Sequence, residues 1–314
     1  MPPKYLSDLR TASWTHLHFF RNITDALFLY KTVDDLYTSP VAERMVNVVK
    51  KGLNVRLRKS PKSNSFADQL IDYTARLTPA LMEEIEFGFE EELKNGKQTS
   101  RGTQIVAMSF FSNIIHRSAT RVMIGTELCR NETFLSETTG LFQSIFFTAL
   151  VVVNLPLGPF RNALLSVLTL PHKWRLEKCT KLLQPVVEAR LSERDSDHGQ
   201  KKNQTAGDGI EWTMDLLHGH SCYDTPNKLT HELLHNLWAA SSAPGGMMTE
   251  IVYQLLTYPE YLAPLREEAK AAVTQHGWTE KMLANLNLQD SFIREVNRLL
   301  PTGASKNPSP LFLA

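Results

Sequence analysis

The stretch DSFIREVNRLLP, residues 290–301, is the most informative part of this sequence. Its apolar residues recur every three or four positions and Pro301 stops the pattern, which predicts a helix over about 288–300. Glu295 and Arg298 are three residues apart, so both side chains lie on one helix face within contact range. Alone, such a pair is an ordinary surface ion pair. Its meaning depends on the helices that precede it.

Two further helices are predicted just upstream. An apolar pattern covers about 228–256, and Pro259 opens a second helix that runs to about residue 275 and stops at Gly277. The first pattern contains Pro244-Gly245-Gly246. Proline lacks a backbone donor and collides with the preceding turn, so this triplet should kink or open the helix.

Helical patterns also dominate the first half of the chain. Residues 76–94 have helical spacing, with Thr78 as N-cap and Pro79 at the first helical position. Residues 103–124 are apolar on nearly all sides, which predicts a buried helix. Four glutamates of the earlier helix are expected to face water: Glu83, Glu84, Glu86 and Glu90. Strand signals are almost absent from the sequence, so the predicted fold class is mainly α.

Composition excludes several classes of protein. The hydrophobic fraction is 42%, the charged fraction 21% and the net charge +1, values typical of a globular protein and unlike those of a nucleic-acid binder. Three widely spaced cysteines indicate no disulfide framework and a reducing compartment. The first residues lack a signal peptide, and the apolar run Ile145–Val153 is shorter than a membrane span. These features predict a cytoplasmic protein.

One short motif is typical of zinc peptidases. His231-Glu232-Leu233-Leu234-His235 places two histidines one helical turn apart, with a glutamate positioned as a general base. The extended form of the motif would need a glycine and a histidine where this chain has Trp238 and Ser241. Because two ligands do not make a metal site, zinc hydrolysis is a minor alternative.

A larger constellation carries a family resemblance. The helix containing Trp238-Ala239-Ala240-Ser241-Ser242 is followed by YPEYLAPLREE at 258–268 and then by the helix of Glu295 and Arg298. This order resembles the I, J and K helices of the cytochrome P-450 superfamily, in particular its filamentous-fungal members of secondary metabolism. Upstream segments are similar to the same family: residues 2–10, 76–81 and 113–131.

The resemblance implies a fold, a cofactor and partners. Members bind haem through a cysteine thiolate, receive electrons from NADPH-cytochrome P-450 reductase and insert oxygen from O₂ into hydrophobic metabolites. Full-length members are anchored to the endoplasmic reticulum. The pair Glu295 and Arg298 would then be structural, anchoring the segment that leads to the haem loop. We predict a partial domain of this kind over 1–303 and a non-homologous tail over 304–314.

Departures from the family pattern bear on activity. Cys129, Cys179 and Cys222 lack the surroundings of the haem-ligand loop. The oxygen groove of the family aligns with Ala239-Ala240-Ser241-Ser242-Ala243, where Ser242 and Ala243 replace the acid and the threonine that relay protons. The prediction is therefore a truncated cytochrome P-450-like protein that binds no haem and has no monooxygenase activity. The alternatives are a non-enzymatic helical interaction protein and the zinc hydrolase.

Overall fold

The computed structural model of the protein describes residues 24–31, 67–154, 158–196, 208–217 and 225–300. Helix prevails throughout these ranges, which confirms the mainly α class. The α-helices are α1 (Ala67–Lys94), α2 (Ala107–Met123), α3 (Thr126–Cys129), α4 (Glu132–Asn154), α5 (Arg161–Leu168), α6 (Leu170–Ser196), α7 (Gly209–Leu217), α8 (Pro226–Thr257), α9 (Leu262–His276), α10 (Glu280–Ala284) and α11 (Asn287–Leu299). Short 3-10 turns occupy Leu29–Lys31, Gly158–Phe160 and Pro259–Tyr261. The tail over 304–314 lies outside the described residues.

A small hairpin follows α1. Strand β1 (Lys97–Thr99) pairs antiparallel with β2 (Gly102–Gln104), and Lys97 lies opposite Gln104. Gly102 has a φ of 127°, a conformation that favours glycine at the turn. The prediction of one helix over 103–124 was therefore wrong at its start, because Gly102–Gln104 is paired as a strand and α2 begins at Ala107.

Two prolines lie inside helices, and only the first changes a predicted helix bound. Helix α1 begins at Ala67, so Pro79 lies inside it and is not its first residue. Helix α8 runs through Pro244 without ending. A proline removes one hydrogen bond and crowds one preceding carbonyl, but the flanking turns keep their own bonds, and packing can retain the helix. The predicted helices over 259–275 and 288–300 are confirmed.

The chain divides into two compact units. The first contains residues 1–53, 132–200 and 212–234, and its helices α4, α5 and α6 pack on one another. Its core includes Phe28, Ala149, Val152 and Leu165. Between α4 and α6 the hydroxyl of Thr148 lies 2.9 Å from the ring Nε2 of the buried His172, which ties the two helices together.

The second unit contains residues 54–131, 201–211 and 235–314. Helix α2 packs along α1, where Phe89, Phe110 and Phe111 meet edge to face with ring centroids 5.2–6.5 Å apart. Helix α2 also touches α8 closely: a β-carbon added at Gly245 would lie 3.0 Å from the Cα of Ser112. This unit carries the residues that the family resemblance singles out.

One described stretch, Glu132–Val152 of α4, is long and apolar enough to cross a membrane. The run Ile145–Val153 taken from the sequence is therefore shorter than the apolar part of this helix. Buried positions make up 44% of the most apolar part of the stretch, and a helix in a protein core has the same composition.

Candidate functional site

Glu295 and Arg298 form a two-pronged ion pair on α11. The guanidinium donates from Nε to Glu295 Oε2 at 2.8 Å and from Nη2 to Oε1 at 2.6 Å. Hydrogen bonding to Arg298 lowers the pKa of the Glu295 carboxyl, and the same contact raises the pKa of Arg298. Both side chains are more than half exposed, so solvent screens their attraction. The structural role in the family sense stays a prediction.

The helix that carries this pair is held in place by Glu268. One carboxylate oxygen of Glu268 accepts from the backbone N–H of Leu288 at 2.6 Å, and the other accepts from Gln289 N–H at 2.9 Å. The side chain of Gln289 donates back to the carbonyl of Leu265. A carboxylate at the first turn satisfies donors that a helix leaves open and complements its positive end. Glu268, the last residue of the stretch 265–268, therefore positions α11.

The predicted oxygen-groove residues lie together on α8. Ser241 is buried, and its hydroxyl donates to the carbonyl of Leu237 at 2.8 Å, whereas Ala239, Ser242 and Ala243 are exposed. Ala240 is half-buried. The serine hydroxyl thus bonds to its own helix. Their assignment as an oxygen groove stays a prediction.

The zinc motif is distributed over one long helix. Glu232 is fully buried, while His231 and His235 are half-buried. Loss of water around the His235 ring lowers its pKa to about 3, and the ring meets Trp238 edge to face at 5.5 Å. Among the described residues, no group of three or more histidine, cysteine, aspartate or glutamate side chains could hold a metal. The motif therefore gains no third ligand there.

The cysteines within the described ranges do not fit the role of a haem ligand. Cys129 is 1% exposed, and burial, with a smaller effect of the nearby Glu84, raises its pKa to about 11. Cys179 is fully buried, and its pKa is raised to about 12 for the same main reason. A metal is bound by the thiolate, whereas burial of both side chains favours the neutral thiol. Cys222 lies outside the described residues.

A buried charge network is the feature that sequence reasoning missed. Glu84, expected to face water, is 1% exposed, and its Oε2 accepts from Arg130 Nε at 3.0 Å. Arg130 also donates from Nη2 to Glu83 at 2.8 Å. Helix periodicity placed Glu84 on the polar face of α1, but α3 ends against that face and brings Arg130 to it. No local pattern around Glu84 signals this contact.

The network extends over an aromatic ring. The guanidinium of Arg130 lies 4.4 Å from the centre of the Phe87 ring, and that of the buried Arg117 lies 5.2 Å from it. Arg117 also donates to the carbonyl of Cys129 at 3.3 Å. These contacts join α1, α2 and α3 through charge and ring stacking. We interpret them as structural, because they link three helices of the second unit.

An open groove of ≈ 540 Å³ lies in the first unit, on α6 and the first turns of α8. Its polar lining has both signs of charge and includes Lys173, Glu177, Lys181, Glu188, Asn227 and His231. Lys181 and Glu177 pair across one helical turn at 2.7 Å. The groove therefore offers no concentrated charge for an ionic ligand.

Comparison with known proteins shows the family to which the fold and the motifs of α8, α9 and α11 belong. The cytochrome P450 family model matches residues 66–308. The chain is 32% identical over 303 residues to the cytochrome P450 monooxygenase sirB of Leptosphaeria maculans. The aligned region covers 96% of this chain and 53% of that protein. It is 31% identical to paxP of Penicillium paxilli over 77% of this chain and 47% of that protein.

A third relative, the ent-kaurene oxidase of Gibberella intermedia, is 27% identical over 79% of this chain and 45% of its own length. The chain belongs to the cytochrome P450 family. It spans about half the length of the curated relatives it matches.

Proposed function

We propose that this chain contributes the helical part of a cytochrome P450 monooxygenase of fungal secondary metabolism, and that the 314 residues alone do not catalyse oxygen insertion. The family match over 66–308 and the monooxygenase relatives support the first part. In this proposal the complete reaction is the oxidation of a hydrophobic metabolite with O₂, with electrons from NADPH-cytochrome P450 reductase at the endoplasmic reticulum.

The sequence around the cysteines is the single observation that carries the second part. Haem in this family needs a thiolate ligand, which supplies electron density for the cleavage of the O–O bond. None of Cys129, Cys179 and Cys222 has the ligand-loop sequence, and burial favours the neutral thiol of Cys129 and Cys179. The residues present therefore do not fit the group, and no catalytic step is assigned to them.

The test is haem binding by the purified 314-residue chain. We expect no thiolate-type Soret band after incubation with haemin, reduction and exposure to carbon monoxide, whereas full-length sirB prepared in the same way serves as the positive control. The comparison uses the wild-type chain and the single variants Cys129→Ser, Cys179→Ser and Cys222→Ser.

Two outcomes would contradict the proposal. A thiolate-type spectrum that one serine variant abolishes would identify a ligand in this chain and restore the prospect of activity. Stoichiometric zinc that is lost in His235→Ala, and retained in the control His276→Ala, would instead favour the hydrolase alternative.

A further inference from the structure

Asn95 and Gly96 connect the end of α1 to strand β1, and Asn95 is the only asparagine in the sequence that precedes a glycine. Asparagine is a chemically labile residue, because the backbone nitrogen of the following residue can attack its side-chain amide carbon and close a five-membered ring. A side chain on that following residue hinders the attack, so glycine presents the smallest obstacle. The dipeptide therefore places a reactive amide beside an unhindered nucleophile.

The local structure leaves this pair accessible. Asn95 is exposed, and its backbone N–H donates to the carbonyl of Glu91 at 3.1 Å. The Gly96 N–H, which carries the attacking nitrogen, donates to the carbonyl of Leu93 at 3.2 Å. This is a single hydrogen bond at a helix end, where local opening requires little free energy. The reaction therefore needs only the last turn of α1 to open.

Packing of the hairpin explains why glycine occupies position 96. A β-carbon at Gly96 would collide with the methyl group of Thr103, on strand β2, and would lie 3.2 Å from the carbonyl of Leu93. Thr103 is held by its own contacts, since it pairs with Gln98 in the sheet and its hydroxyl donates to the Gln98 side chain at 3.1 Å. Glycine avoids both close contacts. The residue that lets the hairpin close against α1 is thus also the one that leaves Asn95 without steric protection.

A second exposed asparagine at a helix end provides the contrast. Asn285 follows α10 as Asn95 follows α1, but the next residue is Leu286. The side-chain amide of Asn285 donates to the carbonyl of Lys281 at 2.7 Å, which ties it to the last turn of α10. The leucine side chain also hinders attack by its own backbone nitrogen. Asn285 should therefore stay intact under conditions in which Asn95 reacts.

We propose that Asn95 is a site of spontaneous deamidation, by which the folded chain acquires an isoaspartate linkage between α1 and β1. The Gly96 nitrogen bonds to the side-chain carbon of Asn95, and its proton leaves with the amide nitrogen as ammonia. Water then adds to either carbonyl of the cyclic imide and opens the ring, giving aspartate or isoaspartate. The reaction consumes only water and changes no oxidation state. It does not depend on the proposed function.

The two products differ in their effect on the structure. Both add a negative charge at the carboxyl end of α1, which the helix dipole disfavours. Isoaspartate in addition routes the backbone through the former side chain, which inserts one methylene between Asn95 and Gly96. That insertion displaces Gly96 from its place beside Thr103 and should loosen the pairing of Lys97 with Gln104.

The test is prolonged incubation of the full 314-residue chain at neutral and at mildly alkaline pH, followed by peptide mapping. We expect the mass increase of deamidation in the peptide that contains Asn95 and not in the one that contains Asn285. The increase should be faster at alkaline pH, because the attacking nitrogen must lose its proton. An Asn95 peptide that stays unmodified at both pH values would overturn the proposal.

Enzymatic methylation identifies the isoaspartate product. A protein isoaspartyl methyltransferase with a labelled methyl donor should label the incubated wild-type chain. Asn95→Gln should lose most of the label, because its longer side chain closes a six-membered ring much more slowly. A label that this variant retains in full would place the reaction at another asparagine and overturn the proposal.

Hydrogen exchange of the hairpin separates the inserted methylene from the added charge. Freshly prepared Asn95→Asp carries the charge without the methylene, and its β1 and β2 amides should exchange as slowly as those of the wild-type chain before incubation. The incubated, methyltransferase-reactive wild-type chain should exchange faster in the same amides. Equal exchange in these two samples would show that the linkage between α1 and β1 is unchanged, which would contradict the isoaspartate product.

Discussion

Two of the carboxylate–arginine pairs in the second unit lie in opposite surroundings. Glu295 and Arg298, on α11, are exposed and lie three residues apart in a recognisable motif. Glu84 and Arg130 are 46 residues apart, and Glu84 is 1% exposed. The motif allowed the first pair to be predicted from the sequence. Burial makes the second pair contribute more to the free energy of unfolding. A pair that identifies a family is therefore not the pair on which this unit depends most.

Removing Arg130 should have the largest effect. Arg130→Ala leaves the Glu84 carboxylate buried without its charged partner, and we expect a loss of about 2–4 kcal/mol of unfolding free energy after allowing for the partial exposure of Arg130. Urea denaturation followed by circular dichroism measures the change. The matched variant Arg298→Ala should leave the midpoint almost unchanged. Equal losses in the two variants would break the comparison.

Substitutions at two adjacent glycines of α8 should have opposite effects. Gly245→Ala places a methyl group 2.7 Å from the Ser112 hydroxyl and 3.0 Å from its Cα, and such crowding costs about 1–3 kcal/mol. Gly246→Ala meets nothing within 4 Å and should gain up to about 1 kcal/mol from helix propensity.

The two midpoints can be read from thermal unfolding of the same preparation. If both alanines destabilise the chain equally, α2 does not pack on α8 at Gly245, and the close contact between them would be wrong.

The cap on α11 should show a moderate effect. Glu268→Ala removes the acceptor of the Leu288 and Gln289 amides, which we expect to cost about 1–2 kcal/mol, as at other helix starts. Glu267→Ala, at an exposed neighbouring position, is the control and should be close to neutral. Hydrogen exchange of the first turn of α11 should quicken in the first variant alone. If the hydrogen-exchange rate of this turn did not change, Glu268 would not be the residue that positions α11.

Acid should destabilise the chain through the buried His116 of α2. Burial, with a smaller contribution from Arg117, lowers the pKa of His116 to about 4. An unfolded histidine has its ordinary pKa near 6.5, so between those values the unfolded chain binds more protons and stability falls as pH falls. The slope from this group is at most about 1.4 kcal/mol per pH unit.

Unfolding free energies measured from pH 6.5 to 4.5 test this dependence. His116→Gln should flatten the slope, while His276→Gln, a histidine on α9, should not alter it. His235 contributes in the same direction, since its lowered pKa also keeps it neutral in the folded chain. A slope unaffected by His116→Gln would show that other groups carry the acid sensitivity.

Local sequence determined much of this protein. Periodicity with proline and glycine stops placed the bounds of α11 within one residue and those of α9 within three, because helix starts and ends depend on nearby backbone groups. The motif order along α8, α9 and α11 was enough to indicate the family. The spacing of Glu295 and Arg298 also predicted their contact, since residues three apart on a helix are neighbours whatever surrounds them.

Tertiary packing decided the rest. Pro79 has a good helix-start signal in sequence, yet it lies inside α1, because the propensity for a start is weak against the helix that extends from Ala67. Glu84 has the periodicity of a solvent-facing residue, yet Arg130 arrives from a distant segment and buries it. Val167, Leu170 and Trp174 are apolar and recur at helical spacing, yet they are exposed, and only the fold shows which side of the helix the protein covers. Periodicity sorts residues onto faces, whereas burial depends on which distant segments pack against each face.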